Sequence, residues 1–474
     1  MLTDIKQKPS LIIHYAIVLF MCFVFPQLPP VGALTPAGMA MLGSFLGAVW
    51  GWSMISLVWP SFAGLLSMGW FLGIEKVASF GFGNTTVVML FFMLMVMGCL
   101  GETGAVNWLI QKLLTLKFFV GKPWVTIGFF FFLSYLISGL NSVVMALILV
   151  PILGSLFKTL NVEPYGKLPT FMIIGIMYSL LMGQVTFPFL GNGFVLLATY
   201  SMMFQTALDF TAFLSFTFPL SVTMILIFLA LMRFVFRVDV SPFKDLNADT
   251  LGECPPITRD QKISLALLVV IIACMLGTSM TFLGPIYAFL QKLTILGVAI
   301  TGMFVMLLVK NKEGKPFINT DSPTQWSIIL ITAMVMVLSS NMSSPEYGIT
   351  ATISMLVQPL MGLSPYVFIV AVLAVSVIVT HFATNLILTI VLMPFLVTFA
   401  ANIGMNPIGI VALLFFTCQM SLATPGGGAP VSAIFYGMTD WVKTGTMSKY
   451  ALMIIPFLFI GDVVLGLTWA NILF

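Results

Sequence analysis

Apolar residues fall along this chain in long unbroken runs, separated by short stretches that hold nearly all of its Lys and Arg. Such runs predict membrane-crossing helices, because about twenty apolar residues in helical form match the roughly 30 Å hydrocarbon core of a bilayer. They fall at 11–27, 34–50, 54–72, 86–100, 168–204 (interrupted), 211–235, 263–281, 283–309, 326–343, 407–437 (interrupted) and 449–472. A β-barrel is excluded, since its strands would alternate lipid-facing and lumen-facing residues.

Two further stretches are apolar almost throughout yet carry polar groups in their middle. Residues 365–402 hold Thr380, His381, Thr384 and Asn385, and residues 123–158 hold Ser138, Asn141 and Ser142. A straight span would strand these groups in lipid, at about 2–7 kcal/mol for each one left unpaired. Read as re-entrant hairpins, the stretches turn at polar tips, Ala383–Asn385 and Ser138–Ser142. Each tip has an Asn followed by an apolar run ending in Pro, Asn385 to Pro394 and Asn141 to Pro151. Broken segments in corresponding halves point to a transporter binding site.

Each hairpin is followed by a helix with a second kind of break. Thr186, Pro188, Gly191, Asn192 and Gly193 interrupt the first, and Thr424, Pro425, Gly426–Gly428, Ala429, Pro430 and Ser432 the second. Gly admits positive φ and Pro removes a donor, so both helices are expected to unwind there. Backbone unwound at membrane depth is tolerated only inside protein or beside a cavity. Two tips and two unwound loops are therefore expected to converge near the midplane.

Composition agrees. Of 474 residues 60% are hydrophobic and 7% charged, with mean hydropathy +1.13. With the N-terminus cytoplasmic and the C-terminus outside, every basic residue of the 19 except Lys76 and Lys292 lies on the cytoplasmic side. That asymmetry sets the orientation of a multi-pass inner- or plasma-membrane protein. The hairpins then dip from opposite faces, as an inverted repeat requires. The expected organisation is a first helix outside the repeat (1–33), a first repeat (34–236), a cytoplasmic linker (237–262) and a second repeat (263–474). Within the repeats, 34–122 and 263–364 are scaffold helices, and 123–236 and 365–474 carry the hairpins and broken helices. Val106–Leu116 and Tyr347–Leu360 read as interfacial helices ahead of each hairpin. Leu11–Phe25 is apolar but Pro26–Pro30 after it lacks a small-residue cleavage site, so no cleavable signal is expected there, and the five Cys, with no CxxC, read as small apolar residues.

The chemistry expected at the meeting point is anion binding. Helix N-termini and freed amides suit a carboxylate or oxyanion, and freed carbonyls and hydroxyls suit Na⁺. The substrate set is Ser138, Asn141, Ser142, Gly191, Asn192, Thr384, Asn385, Ala429 and Pro430. No Lys or Arg falls at any break, so binding by dipoles and amides is modest and reversible. Each intramembrane Asn also reads as interhelical glue, and each Gly-rich break as a kink or a close packing. His381 reads equally as a titrating or anion-binding group and as a packing residue. Asp462 and Lys292, each within a predicted span, are functional candidates that read equally as structural polar groups. With two His, no HExxH, no GxSxG and no carboxylates paired within a span, the chain is not an enzyme. No cofactor beyond Na⁺ and no nucleic-acid partner are expected; the partners are a small anion and the lipid bilayer.

This layout resembles the divalent anion:sodium symporter family (DASS, the INDY-like dicarboxylate transporters) over nearly the whole chain. GFGN at 81–84, GETG at 101–104 and GGAPVSAIFYG at 427–437 support the resemblance. It implies a homodimer whose transport domain moves like an elevator against a scaffold, carrying dicarboxylates, tricarboxylates or sulfate by Na⁺ coupling or exchange. The family's tips read Ser-Asn-Thr. Here the second is Thr384-Asn385-Leu386, and the first is Leu140-Asn141-Ser142 or Asn141-Ser142-Val143. The serine expected one turn before the first tip falls on Leu136 or Ile137, whereas Thr380 matches a second-site sodium ligand and Pro430 the substrate-loop proline. The expected sodium set is Thr380, Asn385 and the carbonyls of Ala383 and Gly428. Coupling is thus expected at one sodium site or replaced by exchange, with a Na⁺-independent exchanger or an anion channel as alternatives.

Overall fold

Several helices start where the sequence supplies a cap. Thr35 accepts the Gly38 amide at 3.2 Å ahead of Pro36, Asp209 the Ala212 amide at 2.9 Å, and Asn406 the Ile408 amide at 3.1 Å ahead of Pro407. Thr258 and Gln261 form a reciprocal capping box. Each satisfies amides that a first helical turn leaves free, and proline at the first position removes an amide with no helical partner to lose.

The computed structural model describes residues 11–105, 108–109, 112, 122–187, 191–204, 209–245, 255–278, 280–317, 326–342, 344–349, 351–352, 355, 359, 364–381, 385–402, 406–424 and 429–473. Its first half contains α1 (Leu11–Leu19), α2 (Pro36–Met54), α3 (Val58–Leu72), α4 (Ile74–Phe80), α5 (Thr85–Glu102), α6 (Pro123–Thr159), α7 (Lys167–Thr186), α8 (Gly191–Phe204) and α9 (Phe210–Ala230). The second contains α10 (Arg259–Gly277), α11 (Pro285–Leu308), α12 (Trp326–Met342), α13 (Pro365–Val379), α14 (Asn385–Asn402), α15 (Pro407–Cys418), α16 (Ala429–Gly437) and α17 (Thr444–Leu473). No β-strand occurs among the described residues. Helices α10 and α11 turn Val269, Val270, Phe289 and Phe304 outward, as lipid contact favours, whereas α7 is buried on nearly every side and forms the centre of the bundle.

Helical backbone runs through α6 from Pro123 to Thr159, yet its contacts show that it doubles back. At one end Trp124 lies 5.5 Å from the Arg233 guanidinium, close to where Phe236 meets Phe171 at 4.7 Å in the first turns of α7. At the other end Phe157 packs on Trp441, whose carbonyl takes the Tyr165 amide just before α7 begins. In between, the Ser138 hydroxyl donates to the Leu180 carbonyl, and Gln184 donates to Ser142 near the far end of α7. A straight helix of 37 residues would run about 55 Å and carry Phe157 far from Trp124. The chain therefore turns back beyond Ser142 and before Gly154, the latter packed beside the Trp441 ring.

Packing is reciprocal between the halves. Hairpin α6 packs on α16, and α14 of the second hairpin packs on α8. Likewise α3 packs on α12 and α11 on α5, α7 on α17 and α15 on α9, while α9 and α17 pair with each other. An apolar cavity of about 210 Å³ separates α2 and α12 from α8 and α14, lined by Phe45, Met203, Val335, Val391, Pro394 and Phe395 among others.

Three sequence expectations are corrected. The first tip is not a non-helical break, because helical backbone continues through Ser138–Ser142; both serine hydroxyls are satisfied against α7. The span expected at 283–309 is broken at Thr294 (φ 63°), whose hydroxyl accepts the Gly297 amide and starts a new helical segment. Helix α15 ends at Cys418, ahead of the break expected from Thr424 onward, since Thr380 and Asn385 hold Cys418 and Gln419. Lys292, which the sequence left open between a functional and a structural polar group, is exposed on the segment before Thr294. The interfacial helices expected at Val106–Leu116 and Tyr347–Leu360 lie largely outside the described residues.

Candidate functional site

In the second half, α13 ends at Val379 and α14 begins at Asn385, leaving Thr380 and His381 in the turn between. The Thr380 hydroxyl lies 2.6 Å from the Cys418 carbonyl oxygen and 2.9 Å from Asn385 Oδ1. Asn385 Oδ1 also accepts from the Ser421 hydroxyl at 3.1 Å, and Asn385 Nδ2 donates to Gln419 Oε1 at 2.7 Å. The Thr424 hydroxyl donates to the His381 carbonyl, tying the loop after α15 to the tip. Thr380, Gln419 and Ser421 are fully buried, and Asn385 nearly so. Carbonyls freed at the end of α15 are thus met by side chains of the hairpin, as groups out of reach of water must be.

The first half repeats the arrangement with different partners. Gln184 Nε2 donates to Ser142, and Asn192 Nδ2 donates to Gln184 Oε1 at 3.1 Å, bridging the hairpin and the first turn of α8. The Thr186 and Ser221 hydroxyls are 2.7 Å apart, and Thr217 donates to the Thr186 carbonyl at 2.8 Å, where α7 gives way to extended backbone at Phe187. Gly183 permits this crossing, since a Cβ there would lie 2.2 Å from the Tyr135 carbonyl oxygen. Helix α9 brings the ends of α7 and α15 close together. Phe216 packs 6.5 Å from Phe416, two residues before Cys418, while its neighbour Thr217 holds Thr186.

Of the expected site residues, the structure therefore clusters Thr380 with Asn385, and Ser142 with Asn192; Ser138 sits beside them on α6. Gly191 opens α8, and Pro430 is buried in the first turn of α16, which packs on α6. The side chains of Asn141 and Ala429 lie outside the described residues, as do Ala383, Thr384 and Gly428. His381 is buried with Nδ1 2.7 Å from the Val377 carbonyl. Asp462, at the middle of α17, is fully buried with neither oxygen partnered, and its electrostatic neighbours are Tyr178 and Cys418.

Sequence reasoning passed over Gln184, Gln419, Ser421, Ser221 and the Cys418 carbonyl. A signal was there: a glutamine two residues before a hydroxyl, Gln184 with Thr186 and Gln419 with Ser421, closes the helix after each hairpin. The second-half cluster offers four oxygens, Thr380 Oγ1, Asn385 Oδ1, Ser421 Oγ and the Cys418 carbonyl, a hard donor set suited to Na⁺. The described residues hold no group of three His, Cys, Asp or Glu fit for a transition metal.

A family profile described as a citrate transporter matches residues 45–418. No curated protein matches the sequence. Among solved structures, the YdaH transporter of Alcanivorax borkumensis superposes with a TM-score of 0.55 at 13% identity, covering 84% of this chain and 89% of that one. MtrF of Neisseria gonorrhoeae, described as an antimetabolite efflux pump, gives 0.56 at 14% identity, covering 85% and 84%. At such identities the likeness is one of fold.

Proposed function

Because this chain belongs to the citrate transporter family, we propose that it is a secondary transporter of di- and tricarboxylates, with citrate-like anions as its first candidates. One observation carries the reading: two clusters of amides and hydroxyls, with no Lys or Arg among them, bind the neighbouring ends of α7 and α15. Uncharged donors hold a carboxylate without trapping it. The layout implied by the DASS resemblance fits the reciprocal packing, with an inverted repeat, hairpins and broken helices as the moving body, and α2, α3, α5, α10, α11 and α12 as the scaffold of a homodimer. The apolar cavity then lies between the fixed and moving parts.

Sodium, where coupling is by Na⁺, binds once, at Thr380, Asn385, Ser421 and the Cys418 carbonyl. The equivalent first-half place offers Leu136 and Ile137 where hydroxyls would be needed. Uptake into proteoliposomes tests this. Accumulation of labelled citrate or succinate under an inward Na⁺ gradient supports symport, stimulation only by internal counter-substrate supports a Na⁺-independent exchanger, and non-saturating current supports a channel. No carboxylate flux under any of these would overturn the reading.

A second reading, proton coupling, is favoured by Asp462 alone. A fully buried carboxylate without a partner inside a membrane bundle is functional by default. Among the described residues of the elements packed on α17, Tyr178 of α7 and Cys418 of α15 are the titratable side chains that interact with Asp462; α9 has none between Phe210 and Met232, and α13 carries only Tyr366, in its first turn. Asp462→Asn would abolish uptake driven by a pH gradient and leave counterflow intact.

A further inference from the structure

The two glutamines that close α7 and α15 occupy equivalent places but differ in what they leave free. Gln184 has both ends engaged, Nε2 toward Ser142 and Oε1 toward Asn192. Gln419 has only one. Two hydroxyls, Thr380 and Ser421, approach Asn385 Oδ1, which sets that amide with Nδ2 toward Gln419. Oε1 of Gln419 must face Nδ2, and Nε2 is turned away with no partner although the residue is fully buried. Buried amide donors are almost always paired, so one left over at a broken-helix junction calls for an acceptor from outside the protein.

We propose that Gln419 Nε2 is a donor to a substrate carboxylate, so that the junction between α15 and the loop before α16 binds anion and cation back to back. This rests on the transport reading above. Asn385 is the hinge of the arrangement: its Oδ1 belongs to the oxygen cluster that suits Na⁺, and its Nδ2 fixes Gln419 toward the anion. Gln184, satisfied at both ends, is a positioning residue that ties the first hairpin to the first turn of α8.

Gln419→Glu is the discriminating variant, for it keeps an oxygen facing Asn385 Nδ2 and replaces the free donor with an acceptor. The full chain is purified, wild type and variant, and titrated with citrate, succinate and sulfate by thermal shift and by uptake in proteoliposomes. Gln419→Glu is expected to raise KM for carboxylates about ten- to hundredfold, the effect of losing a hydrogen bond to a charged group, with half-saturating Na⁺ nearly unchanged. Lowering the pH is expected to recover part of that loss relative to wild type at the same pH, as the protonated carboxyl donates again. Gln184→Glu is expected to lower turnover more than affinity. Should Gln419→Glu not accumulate in the membrane, Gln419→Met, of like volume and without a donor, reads the same loss of affinity. A KM within twofold of wild type at every pH, or an effect confined to Na⁺ dependence, would overturn the assignment while leaving the transport reading intact. A wild-type protein that binds and carries no carboxylate would overturn both.

Discussion

At the scale of single residues, Thr380 is the most constrained group in the molecule's candidate site. Its hydroxyl lies within hydrogen-bond distance of two acceptors, Asn385 Oδ1 and the Cys418 carbonyl, and it is fully buried. Thr380→Val keeps the shape and removes the oxygen. It is expected to weaken any sodium dependence of uptake and to cost about 1–3 kcal/mol of stability, since a buried carbonyl loses its donor. Half-saturating Na⁺ and thermal unfolding read the two effects separately. Ser142→Ala, by contrast, frees only the Gln184 amide and is expected to reduce substrate affinity by about 0.5–1.5 kcal/mol with little change toward Na⁺.

At the scale of elements, the crossing of α7 over the first hairpin is set by one missing Cβ. Gly183→Ala would bring a methyl to 2.2 Å from the Tyr135 carbonyl oxygen, a backbone atom that no rotamer change relieves. Overpacking of this kind costs about 1–3 kcal/mol. Gly183→Ala is therefore expected to lower the unfolding temperature and the transport rate together, whereas Gly98→Ala, with open space around it, leaves both near wild type. Unwinding follows the same logic of local satisfaction. α15 stops where α13 and α14 supply Thr380 and Asn385, and α7 stops where α9 supplies Thr217 and Ser221.

At the scale of the whole molecule, the scaffold and moving body proposed above would meet at the apolar cavity that α2 and α12 share with α8 and α14. Movement of one against the other requires that seam to slide. Val391→Trp, which fills the cavity, is expected to slow uptake several-fold while leaving substrate-induced thermal shifts in place; loss of both would argue against a mobile seam. Orientation is a separate matter. Lys244→Cys is expected to be protected from membrane-impermeant reagents in intact cells and Glu346→Cys to be labelled, as the sorting of basic residues requires. Labelling of Lys244→Cys from outside would invert the topology.

Much of this was legible along the chain because it depends on nearest neighbours. Run length against bilayer thickness settles the helical membrane class; Pro36, Pro123, Pro365 and Pro407 mark helix starts, and glycine and proline mark the breaks after α7 and α15. What a buried polar group bonds to is not local. Gln419, Ser421 and Cys418 lie 34, 36 and 38 residues from the groups that hold them, so the local spacing of Gln419 and Ser421 marks a helix end without saying which distant residues they bond. Only the tertiary structure decided that these glutamines close the site, that Lys292 faces outward and that Thr294 breaks its helix, because hydrogen-bond satisfaction in a low-dielectric interior is settled by whichever chain segment packs alongside.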